Sequence, residues 1–252
     1  MAEWNEQAII LKLGHFREAD LWLRALLRQR GLVTLFAFGG AKSRRRFSGC
    51  LDQFNTLDCQ IRTSRTGEYA TLAEAGLLGA PQRLRLDWRR MGLAANCLRF
   101  VDAIGIGPET ARESFELLEN LRATLEKPAE PSPWLPVFFR LRLAAILGFG
   151  PEFKQCSLCG RQLRGPAWFR PAEGQTLCAA CSLTNPDKNR GPGIRLPAAS
   201  LDLLDSVRQS LPCDWSSKSI ADADLRQAAR AIDGLVQFHL GLEWDNGKFR
   251  RI

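Results

Sequence analysis

Four of the eight cysteines stand as two C-x-x-C pairs, Cys156-Ser157-Leu158-Cys159 and Cys178-Ala179-Ala180-Cys181, with 18 residues between the pairs. A two-residue spacer lets both sulfurs of a pair turn to one side of a tight turn. Two such knuckles separated by about 15–20 residues can place four thiolates around one tetrahedral ion. The chemistry expected is a closed structural site for Zn2+, one per chain, ligated by Cys156, Cys159, Cys178 and Cys181. Four thiolates leave no open position for a water nucleophile. The same donors are competent for an iron–sulfur cluster. A redox role fits one C-x-x-C pair better than two. Cys50, Cys59, Cys97 and Cys213 are scattered and read as small core residues.

The second cluster with chemistry is Gly39-Gly40-Ala41-Lys42-Ser43-Arg44-Arg45-Arg46-Phe47, four cations with no acid among them. Such a loop suits a phosphate backbone, because each neutralised phosphate releases condensed counterions. The net charge of +8 is spread as +3, +2 and +3 over residues 1–80, 81–150 and 151–252, so any polyanion surface rests on this loop. Arg17 and Arg24, with Arg28 and Arg30, extend it if they share its face; the bland alternative is a solvated loop. Phe36 and Phe38 are two apart and share one strand face. Packing against helices is the commoner fate of such a face, and base stacking is the other. Phe47 and Tyr69 read as structural. Arg161, Arg164, Arg170 and Trp168, between the knuckles, read as a solvated face before a phosphate contact. There is no phosphate-binding glycine loop, no H-E-x-x-H and no G-x-S-x-G. The only histidines, His15 and His239, have no partner acid or nucleophile in sequence, so the chain reads as non-catalytic.

The elements that must carry these clusters follow from periodicity. Residues 8–13, 32–38, 51–63 and 69–78 read as strands, and 20–28 is ambiguous between helix and strand. Five short strands in about 75 residues suggest a small antiparallel barrel. From Leu84 to Ile104 apolar residues recur at helical spacing, up to Gly105-Ile106-Gly107-Pro108. Thr110-x-x-Glu113 has the form of a capping box before the stripe of Phe115, Leu117, Leu118, Leu121 and Leu125. Trp134 to Leu147 reads as a helix apolar on most sides, and 198–210 and 222–239 as two more, with Gly241 as a C-cap. A polar loop is expected over Pro186 to Gly193. The domains expected are a barrel over 1–80, a helical domain over 81–150, a zinc module inserted at 151–185, and the rest of the helical domain with a basic tail over 186–252. No apolar run reaches the roughly 18 residues of a membrane span. The acidic start lacks the order of a signal peptide, so a cytoplasmic chain with no membrane partner is expected.

The ordered set resembles the RecO family of bacterial recombination-repair proteins. The matching stretches are Glu6-Gln7-Ala8-Ile9-Ile10-Leu11, Glu18-Ala19-Asp20, Gly31-Leu32-Val33 running into Gly39 to Arg46, Trp168-Phe169-Arg170-Pro171 through Gly174-Gln175-Thr176-Leu177-Cys178, and Phe238-His239-Leu240-Gly241. His15-Phe16-Arg17 departs from the aromatic-glycine turn often seen before the glutamate. The resemblance implies an α+β fold, an N-terminal OB-fold barrel followed by an all-α helical domain carrying the four-cysteine zinc module. It implies binding of single- and double-stranded DNA, strand annealing, and help in loading RecA onto strands coated with single-strand-binding protein (SSB). Implied partners are RecR, in some organisms RecF, and the C-terminal tail of SSB, in a nucleoid-associated setting. The family's DNA contacts carry over onto Lys42, Arg44, Arg45 and Arg46. The competing expectation is a zinc-stabilised adaptor that binds an acidic partner tail and has little DNA activity of its own. A nucleic-acid enzyme using a divalent metal would need a carboxylate cluster.

Overall fold

The structure, a computed structural model, describes residues 2–64, 66–184, 193–217 and 221–252. The chain divides into two compact units, Met1–Pro128 and Ala129–Ile252.

In the first unit β1 (Glu3–His15), β2 (Leu21–Leu27), β3 (Gly31–Ala37), β4 (Thr56–Thr63) and β5 (Ala70–Gly79) close into a barrel in the order β1-β2-β3-β5-β4. Neighbours are antiparallel except β3 and β5, which pair in parallel at Leu35 and Phe36. Alternation drives the closure: Ala8, Ile10, Leu23, Leu35, Ile61 and Leu72 face inward and are buried. The ambiguous segment 20–28 is a strand. Leu21, Leu23 and Ala25 point into the core, while Trp22 and Arg24 lie opposite outward-facing Phe36 and Thr34. β4 begins at Thr56 rather than Leu51, because buried Phe54 takes a left-handed backbone (φ 65) and turns the chain first.

The outer face of β2 and β3 has two ends. At one, Leu26 is wholly buried and the Leu32 amide donates to the Ile106 carbonyl at 2.9 Å, under the helical segment. Gly31 makes that approach possible. Its φ is +80, and a Cβ there would sit 2.2 Å from the Ile106 oxygen. Gly31→Ala is therefore expected to destabilise the first unit by about 2 kcal/mol, read as a lower urea midpoint with an unchanged slope. An unchanged midpoint would refute this account of the barrel–helix junction. At the other end of the face lie half-buried Trp22 and Phe36, with exposed Phe38 next to them.

Three helices complete this unit: α1 (Arg83–Leu86), α2 (Trp88–Ile104) and α3 (Pro108–Leu125). The apolar run from Leu84 is interrupted at Asp87, whose carboxylate caps α2 by accepting from the amides of Arg89 (2.9 Å) and Arg90 (3.3 Å). α3 starts before the expected capping box. Gly107 is its N-cap and Pro108 its first residue, so Thr110 and Glu113 are already helical. Proline is favoured there because its fixed φ suits the helix and its missing N–H would have had no partner. The stripe Phe115, Leu117, Leu118, Leu121 and Leu125 is buried as the spacing predicts.

In the second unit α4 (Leu135–Ile146) is buried on most sides. A small sheet follows, β6 (Ala167–Arg170), β7 (Gln175–Leu177) and β8 (Ile194–Leu196), in the order β7-β6-β8, with α5 (Ala179–Thr184) between β7 and β8. α6 (Ala198–Gln209) and α7 (Asp222–Leu240) pack on α4, and α7 ends on left-handed Gly241. The last residues, expected as a basic tail, pair as a hairpin of β9 (Leu242–Asp245) and β10 (Lys248–Arg251). Asn246 and Gly247 both have positive φ, as a tight hairpin turn requires. Among the described residues the second unit is thus mainly helical with two small sheets, not all-α. The polar loop expected from Pro186 lies, through Pro192, outside the described residues. Among the described residues no helix is long and apolar enough to cross a membrane.

Candidate metal centre and nucleic-acid interface

The cysteine knuckles meet because β7 is shared between them. The Ser157 amide donates to the Thr176 carbonyl at 2.9 Å, and the Thr176 amide donates to Ser157 Oγ at 3.1 Å. Cys178 follows β7 directly, and Cys181 comes one turn into α5. The four sulfurs lie within 4.8 Å of one another, and Cys159 and Cys178 are 3.9 Å apart. A tetrahedral ion with bonds of about 2.3 Å requires sulfur separations of about 3.8 Å. The donor set therefore fits a single ion, and its four soft thiolates are compatible with zinc. Burial opposes ionisation of Cys156, but amide donors from Cys178, Cys159 and Leu158 and the Cys159 thiol outweigh it and bring the group down to about 6. Cys181 goes the other way, to about 12, as hydrogen bonds with Cys159 and Cys178 keep its proton. One thiol is ready to ionise and another resists; a cation among them would hold all four as thiolates.

The basic loop is fastened at both ends. The Gly39 amide donates to Asp20 Oδ1 at 2.7 Å, and the Ala41 amide to the Ala19 carbonyl at 3.0 Å. Phe47 is buried in the barrel core, and the Ala75 amide on β5 donates to the Arg46 carbonyl at 3.0 Å. Between these anchors Lys42, Arg44, Arg45 and Arg46 are all exposed. Lys42 pairs with exposed Glu18. Arg46 donates to the Phe38 carbonyl at 2.6 Å and lies over the Phe47 ring. Among the described residues Arg44 and Arg45 have no ion-pair or hydrogen-bond partner for their guanidinium groups.

Of the two flanking arginines, Arg17 is exposed beside Phe16, on the turn whose Ala19 and Asp20 hold the loop. Arg24 is placed differently. It is half-buried, with Nε 3.1 Å from Asp102 and Nη1 donating to Thr34, so its charge is already engaged toward α2. Arg28 contacts Gln7 and Glu116, and Arg30 binds buried Glu6 at 2.6 Å. The structure thus brings Arg17 to the loop, while Arg24, Arg28 and Arg30 are each engaged by an acid, Asp102, Glu116 and Glu6, with Arg30 still exposed.

An aromatic cluster lies next to the loop. Phe36 contacts Phe16 at 5.3 Å, Tyr69 at 5.7 Å and Phe38 at 6.4 Å between ring centres. Phe38 also contacts Phe16 at 5.9 Å and Tyr69 at 6.4 Å. Phe16, Phe38 and Tyr69 are 38%, 39% and 42% exposed. These rings are not packed away under helices, the commoner fate given to such a face. Tyr69 joins the surface rather than the core. Sequence reasoning missed Phe16, which sits in a turn where no periodicity assigns a face.

Comparison with known proteins agrees along the whole chain. The family models described as "Recombination protein O N terminal" and "Recombination protein O C terminal" match residues 1–80 and 85–247. A protein named "DNA repair protein RecO" from Nitratidesulfovibrio vulgaris is 42% identical over 255 residues, spanning 99% of this chain and 100% of that relative. Its namesakes in Oleidesulfovibrio alaskensis and Solidesulfovibrio magneticus are 40% and 39% identical, over 99% of this chain and 100% and 99% of theirs. The chain belongs to the RecO family of DNA repair proteins.

Proposed function

We propose that this chain is a non-catalytic recombination mediator that binds single- and double-stranded DNA, anneals complementary strands and assists RecA loading on SSB-coated single strands. The observation that carries the reading is the anchored loop of exposed Lys42, Arg44, Arg45 and Arg46, in which Arg44 and Arg45 have no partner among the described residues. Folded walls hold the loop in place, so the cations are presented together and phosphates can be screened on binding. We read the barrel, whose strand order is β1-β2-β3-β5-β4, as an OB fold. Cys156, Cys159, Cys178 and Cys181 would hold one structural zinc, which supplies a cross-link and no reaction step. In this reading RecR, in some organisms RecF, and the C-terminal tail of SSB are the protein partners, and the chain works in the cytoplasm at the nucleoid.

The adaptor reading has one observation in its favour. Leu86, Trp88 and Met91 are exposed, and Met91 lines a cavity of about 300 Å³ with Phe54, Leu84, Ala94 and Leu98. That apolar surface suits a protein partner. The two readings separate in one assay, annealing of complementary oligonucleotides coated with SSB, with zinc measured on the same sample. The mediator reading expects annealing well above the spontaneous rate and zinc near one per chain. Annealing no faster than without the protein would overturn it in favour of the adaptor.

A further inference from the structure

We propose that Phe16, Phe36, Phe38 and Tyr69 form a base-stacking platform that makes the barrel's nucleic-acid contact selective for single strands; this rests on the DNA-binding reading of the adjacent loop. An exposed aromatic cluster calls for an occupant, because water gains nothing from three half-open rings. The occupant here is named by charge. The Arg46 guanidinium reaches the Phe38 carbonyl at 2.6 Å, Arg17 stands over the edge of the cluster at Phe16, and Arg44 and Arg45 lie on the same loop as Arg46. A ligand lying on the rings therefore has cations along its border. A strand with flat apolar bases on one side and phosphates on the other matches both features.

The geometry also separates single strands from duplexes. Neighbouring ring centres are 5.3 to 6.4 Å apart. Duplex bases rise by about 3.4 Å, and their faces are covered by the bases above and below. A duplex can offer phosphates to the loop but no free face to the rings. An extended single strand can offer both. Phe36 contacts the other three and lies nearly parallel to Phe38 (21°), while Phe16 and Tyr69 stand edge-on to this pair as its walls; Phe16, Phe38 and Tyr69 are the exposed rings. The platform is stiff because its parts are tied to the barrel. Phe36 is a ladder residue of β3, and the Tyr69 carbonyl accepts from the Ser64 amide at 2.8 Å. The Phe16 amide donates to the Asp20 carbonyl at 3.2 Å. Bases held by their faces keep their pairing edges free, so a strand on the platform remains open to a complement while the loop screens its phosphates.

The test uses the full-length chain with an oligothymidine and a duplex of equal length, each titrated by fluorescence anisotropy at several salt concentrations. Phe38→Ala and Tyr69→Ala are each expected to weaken single-strand binding by roughly 5- to 150-fold. Duplex affinity should stay within about twofold, and the single-strand salt slope should not change, because no phosphate contact is lost. Tyr69→Leu keeps apolar contact with Phe36 and should fail like alanine, while Tyr69→Phe should bind like the parent chain. Melting curves on each variant verify the fold. Equal loss on both DNAs, or tight single-strand binding by the alanine variants, would overturn the platform and leave the loop's role standing. A parent chain that binds neither DNA would overturn both readings.

Discussion

Serine at both Cys156 and Cys159 is expected to abolish stoichiometric zinc and to lower the stability of the second unit by about 3 kcal/mol or more. The reason is what surrounds the knuckles. The buried cluster there is Cys156, Leu177 and Cys178, with Leu163 and Cys181 packed against it, so three of its five residues are the ligands themselves, while Phe153, Ala167 and Phe169 are buried elsewhere in the module. Knuckles with so small an apolar cluster of their own need a cross-link to stay ordered. Zinc supplies about 10–16 kcal/mol of apparent free energy in isolated fingers. Here the module sits on a helical unit, and the amide bonds of Ser157 and Thr176 survive the substitution, so part of that is retained. A loss of about 3 kcal/mol corresponds to a fall of about 10 °C or more in melting temperature for a unit of this size. Calorimetry with metal analysis reads both quantities, and stripping the parent protein with a chelator should reproduce the shift. Affinity for DNA should change less than threefold, because the loop cations belong to the first unit. A variant that keeps its zinc and its melting temperature would refute the assignment of the ligands.

That centre was legible in the sequence because knuckle geometry is a local property of a C-x-x-C spacing. The loop was legible for the same reason, four cations in five residues between two strands. What could not be read were properties set by distant partners. Arg24 carries no local sign that Asp102, on a helix far along the chain, engages it. The segment 20–28 has a leucine-rich composition that suits either element. Only pairing with β1 and β3 settles it as a strand with Trp22 and Arg24 outward. The platform gathers a turn residue, two residues of one strand run and one residue before β5, so no window of sequence contains it. The C-terminal hairpin is a different case. Asn246-Gly247 is a strong turn signal between short alternating runs, and it was available in the sequence. The family resemblance carried the order of the parts but could not say which charges are free.

Replacing Lys42, Arg44 and Arg45 together with alanine is expected to weaken single-strand binding at 0.1 M salt by about a hundredfold and to flatten the salt dependence. Arg46 is left in place because it holds the Phe38 carbonyl and covers the Phe47 ring, and its loss would confuse a charge effect with a loop collapse. Each phosphate contact on a single strand contributes a slope of about −0.7 to log K against log salt. Three lost contacts should reduce the slope by about 2, which between 0.1 M and 1 M is a factor of about 120 in affinity. Lys42 is the weakest of the three, since a phosphate must compete with Glu18 for it. The two arginines should therefore account for most of the change. Glu18→Gln tests that competition from the other side, and should raise affinity slightly by freeing Lys42. Unlike the ring variants, the charge variant should lose duplex as well as single-strand binding, because phosphates are common to both. Its annealing rate should fall toward the spontaneous rate with its affinity, since the loop no longer screens the phosphates of the two strands. A folded triple variant with the parent's slope and affinity would remove this loop from the interface.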